Sequence, residues 1–139
     1  MRISPQAIKR FKKEVRARTS RVRRVASKDL LADLDKLLQG WAGYYARFAG
    51  CRSQLEKLDR WIRLRIRQWL WVSWKTPRNR LRQLMRGGIS EPMGRLAVGT
   101  ISAWKAAHCK AMSICITNER IERAGLRPLL GYWQRFAAS

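Results

Sequence analysis

Leu30, Leu34, Leu37, Leu38, Trp41, Tyr45 and Phe48 follow one another at steps of three and four residues. On a helix of about 3.6 residues per turn this spacing gathers them on one side, whereas a strand would scatter them over two faces. The stretch therefore predicts an amphipathic helix that must bury its stripe against other helices. Ser27 stands where an N-cap is wanted, and Asp29 lies in the first turn, where a carboxylate favours the helix dipole. Gly40 and Gly43 interrupt the span, each costing up to about 1 kcal/mol relative to alanine. Close packing against another helix is the expected compensation.

The same period recurs along the chain. Ser4-Pro5 is an N-cap followed by proline at the first helical position, and Ile8, Phe11 and Val15 then repeat at helical spacing to about Arg18. Lys9, Arg10, Lys12, Lys13 and Arg16 occupy the other faces of that helix. A basic connector, "TSRVRRVAS", precedes Ser27. A third helix starts near Arg52 or Ser53, with Leu55, Leu58, Ile62, Ile66 and Trp69 on a core stripe and Arg60, Arg63 and Arg67 on a solvent-facing one. Trp61, Trp71 and Trp74 are expected as core or hydrophobic caps rather than stacking platforms. Pro77 cannot continue the helix, so Trp74 to Pro77 reads as a turn or kink. Arg78, Arg80 and Arg82 load a fourth helix ending at Gly87-Gly88. Ser90-Glu91-Pro92 opens a short helix, Ala103 to Ile116 reads as helical, and Thr117 caps "NERIERAG" with Gly125 as its stop. The fold class is all-α, a multi-helix domain with no substantial sheet.

Charge narrows the partners. The chain has 31 Lys+Arg against 9 Asp+Glu, a net +22. So much like charge in a compact body repels itself and is best explained by a polyanion, nucleic acid first and an anionic membrane surface second. At 139 residues the chain fits one domain able to bury roughly two-thirds of its unfolded surface. No apolar run long enough for a spanning helix is present, and the basic N-terminus lacks the apolar segment of a signal peptide. Cys51, Cys109 and Cys115 are odd in number and read as reduced thiols in a cytoplasmic setting. His108, Cys109 and Cys115 lack zinc-ligand spacing. With one histidine, scattered carboxylates and no Walker-type loop, no catalytic residue, metal or cofactor is expected.

The ordered stretches "RISPQAIKRFKKEVR", "LQGWAGYYARF", "LDRWIRLRIRQW", "WKTPRNRLRQL", "GIS" and "NERIERAGLRPLL" resemble the maturase-specific region, or X/thumb domain, of group II intron reverse transcriptases. The resemblance covers nearly the whole chain. It implies an α-helical thumb that grips template and primer during reverse transcription and helps bind intron RNA during splicing. Two segments depart from the pattern. Gly43 stands where the family usually has asparagine, and the surroundings of Trp104, with Ser102, Lys105, Ala106 and Ala107, differ from the usual Gly-x-Trp-Arg-Leu-Ser.

The palm, with its Tyr-x-Asp-Asp motif, and an endonuclease module have no counterpart in these residues, so a fragment, remnant or standalone derivative is expected. Residues 1–139 are read as one RNA-binding domain without catalysis of its own, divided into a basic N-terminal helix and connector (1–26), a helical core (27–88) and a C-terminal helical part (89–139). The expected phosphate-binding cations are Lys9, Arg10, Lys12, Lys13, Arg16, Arg60, Arg63, Arg67, Lys75, Arg78, Arg80 and Arg82. Arginine suits this role because its planar fork engages phosphate bidentately and stacks on bases. The expected partner is structured RNA, group II intron RNA foremost. Two alternatives stand beside it: an accessory thumb subunit docking on a separately encoded reverse transcriptase palm, and a basic amphipathic protein on anionic membranes.

Overall fold

The computed structural model describes residues 2–20, 25–45, 49–100 and 102–138, and among these the regular structure is helical throughout, with no strand. Residues 21–24 of the basic connector and Phe48 of the apolar stripe lie outside the described residues. The helices are α1 (Pro5–Arg18), α2 (Ser27–Tyr45), α3 (Arg52–Ser73), α4 (Pro77–Arg86), α5 (Glu91–Val98), α6 (Ala103–His108), α7 (Lys110–Cys115), α8 (Asn118–Arg123) and α9 (Leu129–Ala137). They form two compact units. One comprises residues 1–62 and 122–139, the other 63–121, and the long helix α3 runs from the first into the second.

In the first unit, α1 starts where Ser4 accepts a hydrogen bond from the Ala7 N–H at 3.2 Å, with Pro5 filling the first turn. It buries Ala7, Phe11 and Val15. Ahead of it, Ile3 is buried and its backbone is bracketed by one side chain: the Ile3 N–H donates to Gln54 Oε1 at 2.9 Å, and Gln54 Nε2 donates to the Ile3 carbonyl at 3.0 Å. Helix α2 buries Leu30, Leu34 and Leu38 of the stripe read from its period, together with Leu31 and Ala42, which lay outside that reading, whereas Leu37, Trp41 and Tyr45 are half-buried. Helix α9 packs along α2. The expected reason for the two α2 glycines does not hold. A β-carbon at Gly40 would meet nothing within 4 Å, and one at Gly43 would make only ordinary contact with the Phe136 ring at 3.6 Å. Both glycines are exposed, so no helix approaches them closely enough to require the missing side chain.

The second unit is built around Trp71, Leu84, Ile89, Ala97, Ala106, Ala111, Met112 and Cys115. Trp71 is therefore core, as its helix position implies, and Trp74 packs partly buried against the same cluster. The reversal from α3 to α4 is a turn through Lys75, whose φ of 63° is unusual for a side-chain-bearing residue, followed by the Thr76 cap and Pro77 in the first turn. Glycine works differently at the end of α4. Gly87 has ordinary dihedrals, but a β-carbon there would lie 2.3 Å from Cys115 Sγ. Helix α4 can pass α7 at this distance only with hydrogen in that place.

The single helix expected from Ala103 to Ile116 is instead two. Cys109 adopts extended backbone, φ −70° and ψ 153°, ending α6 and starting α7. Packing explains the break. On one uninterrupted helix Ala106 and Met112 would point about 120° apart at 3.6 residues per turn, yet both are fully buried in the same cluster. Extending Cys109 lets each short helix turn its small and apolar residues to that core.

Candidate nucleic-acid interface

Helix α1 carries its charge as a ridge. At about 100° per residue, Lys12, Arg16, Lys9, Lys13 and Arg10 sweep in that order around the side away from Phe11 and Val15. All but the half-buried Lys12 are exposed. The nearby acids are engaged elsewhere. Glu14 pairs with Arg18 at 2.7 Å, Asp33 lies 3.5 Å from the same guanidinium, and Asp35 accepts from Tyr132 Oη and the Arg127 N–H. Among the described residues none of the five ridge cations has an ion-pair partner.

Aromatic rings flank the ridge on both sides. On the α3 side, Lys12 Nζ lies 5.2 Å and Arg16 Cζ 5.3 Å from the Trp61 ring centroid. Two like charges share one ring, which lowers the cost of holding both near an incoming anion. Trp61 was expected as core or a cap; half-buried beneath two cations, it belongs to the basic surface instead. On the α2 side, Phe11 stacks on Trp41 at 4.2 Å, Trp41 meets Tyr45 at 4.6 Å, and Tyr45 meets Tyr44 edge-on at 4.8 Å. Arg60 of α3 is exposed beside Trp61.

In the second unit the nominated cations divide. Arg67 is buried, against its expected place on a solvent stripe. Its Nε donates to the Ile116 carbonyl at 2.9 Å and its Nη2 to Asn118 Oδ1 at 3.0 Å, so it satisfies the end of α7. Burial, with the Arg63 charge nearby, lowers its pKa from the ordinary guanidinium value. Arg120 does similar work, donating to the Cys115 carbonyl at 2.6 Å. Arg80 folds back onto Trp71, its Cζ 5.0 Å from the ring centroid and its Nε 2.9 Å from the Trp71 carbonyl; burial lowers its pKa too. Arg67 and Arg80 are thus internal fastenings. Arg63 is half-buried.

Lys75, Arg78 and Arg82 remain exposed, and Arg86, which the sequence reading did not single out, extends Arg78 and Arg82 as a third rung at a spacing of four. The signal for Arg86 was that spacing; the signal for Tyr44, equally missed, was an aromatic off the apolar stripe.

The other polar candidates are accounted for locally. The three cysteines are free thiols; Cys51 and Cys115 are buried, and burial raises the pKa of both. His108 is exposed, its Nδ1 2.7 Å from the Trp104 carbonyl. Among the described residues no three His, Cys, Asp or Glu side chains converge as a metal site, and no helix is long and apolar enough to cross a membrane.

Residues 8–88, from α1 through α4, match the family model of the group II intron maturase-specific domain. No curated protein matches the chain. The matched stretch holds the α1 ridge, both flanking aromatic groups and the α4 arginine ladder, and it ties the chain to a group II intron maturase-related role. Because the match spans more than half of the sequence, the chain belongs to the family of group II intron maturase-specific domains.

Proposed function

We propose that this domain binds structured group II intron RNA through the α1 ridge and assists splicing, and that joined to a reverse transcriptase palm it serves as the thumb gripping template and primer. The observation that carries the reading is the ridge itself: five cations on one helix face, with no ion-pair partner among the described residues and with Trp61 under two of them. Phosphate is the complement of such a surface, and each phosphate neutralised releases counterions. Arg60 is a further exposed cation on α3, while Lys75, Arg78, Arg82 and Arg86 are exposed on the second unit. Binding, not chemistry, is the assigned task. The carboxylates beside the ridge are engaged with Arg18, with the Tyr132 hydroxyl and with the Arg127 N–H.

The test is the salt dependence of binding to a folded group II intron RNA. Changing Lys9, Arg10, Lys13 and Arg16 together to glutamine is expected to flatten the log–log slope by roughly 3, at about 0.7–0.9 per phosphate contact. The variant should keep its helical content and lose its stimulation of intron excision. A folded variant with the parental slope would remove α1 from the RNA surface.

A further inference from the structure

Between α1 and α2 lies a cleft of about 560 Å³, walled by Arg10, Lys13 and Glu14 on one side and Trp41, Tyr44 and Tyr45 on the other. Resting on the RNA-binding reading, we propose that this cleft receives one unpaired RNA base, stacked on Tyr44, while the flanking phosphates lie on Arg10 and Lys13.

The size is that of a small-molecule site, in the range of about 300–1,000 Å³. Tyr44 is 63% exposed, a large aromatic surface accessible from solvent. It is also held in place. Ring contacts run from Phe11 through Trp41 and Tyr45 to Tyr44, so the Tyr44 ring rests on a packed row rather than waving on a loop. A preset ring loses little freedom on stacking.

The charges orient the guest. Glu14 forms part of the cleft wall, and its carboxylate opposes a phosphate entering the cleft. Arg10 and Lys13, exposed on the ridge, draw the sugar–phosphate backbone to the rim. A neutral base inside and its phosphates outside satisfies both. The base must be unpaired, because a base within a helix has its faces covered by its neighbours, whereas a bulged or looped one can be splayed onto an aromatic ring.

The experiment uses the full chain and two RNA hairpins that differ only in whether a 2-aminopurine is bulged or paired. The bulged hairpin is expected to bind about tenfold tighter, the size of one base–aromatic stack, with its fluorescence quenched on binding. Tyr44→Ala should abolish that preference while keeping the affinity for the paired hairpin within about twofold, and Tyr44→Trp should restore it. Equal affinity of the parental protein for the two hairpins would overturn the inference and leave the RNA-binding reading standing, as would a bulge preference that survives Tyr44→Ala. Failure of the parental chain to bind either hairpin would instead overturn the proposed function itself.

Discussion

Asp59, buried on α3, accepts a hydrogen bond from the backbone N–H of Leu129 at 2.7 Å, across 70 residues of sequence. Its other oxygen takes the Leu130 N–H at 3.1 Å. Pro128, at the N-cap position of α9, has no side chain that can do this, so a carboxylate from another helix closes the end. Asp59→Ala should lower stability by about 2–4 kcal/mol, a lost cap plus stranded buried N–H groups. Asp59→Asn, which keeps one acceptor oxygen, should cost less. Urea unfolding of the two variants measures both, and an unchanged midpoint for the alanine variant would show that α9 does not need this cap.

Arg67 and Arg60 look alike in sequence and should behave oppositely. Arg67→Gln removes two hydrogen bonds from a buried guanidinium and should cost about 2–3 kcal/mol while leaving the salt slope of RNA binding untouched. Arg60→Gln, on an exposed site, should change stability by less than about 0.5 kcal/mol. Denaturant titration beside RNA titration distinguishes them.

Two glycines give opposite signs under the same substitution. Gly40→Ala adds a methyl group in open space within a helix and should stabilise by about 0.5–1 kcal/mol. Gly87→Ala drives a methyl group into Cys115, near backbone as well as sulfur, and should destabilise by about 2 kcal/mol or more. Thermal unfolding of the pair checks both signs.

Tyr132 donates its hydroxyl proton to Asp35 at 2.7 Å. Burial first, and then the Asp35 carboxylate, push its pKa up to about 12. A pKa raised in the folded state favours the protonated form there, so this contribution to stability is fully present below the unfolded value of about 10 and is lost as pH rises through about 12. Stability measured across that window should fall less steeply in Tyr132→Phe than in the parent. Equal steepness would mean that the phenol does not lose a proton there on unfolding.

Local pattern made much of this fold readable. Ser4-Pro5, the α2 stripe, Thr76-Pro77, Gly87-Gly88 and Thr117 each act within a turn or two of their own helix, and their capping atoms or apolar spacing stand in the sequence itself. What escaped depends on distant partners. Arg67 carries the same charge and spacing as Arg60, and only the arrival of α7's end decides that one faces inward. Asp59 gives no sign that it caps a helix 70 residues away. The break at Cys109 has no proline or glycine to announce it, because its cause is a shared core rather than a local preference. For the interface, the ridge cations were legible as charge and Tyr44 as an aromatic off the apolar stripe, whereas the place of Trp61 depends on Lys12 and Arg16 arriving beside it from another helix.

The unpaired ridge of α1 has a thermodynamic consequence for the chain alone. Five positive groups on one face raise the free energy of the folded state by mutual repulsion, and Glu14 at their edge is paired with Arg18 instead. Any polyanion that settles there binds the folded form preferentially, adding RT ln(1 + [L]/Kd) to its stability. The melting temperature of this domain is therefore a function of anion concentration: lowest in dilute buffer, higher with inorganic phosphate, higher still with RNA. The surface that recognises a partner also makes the population of folded molecules depend on that partner being present.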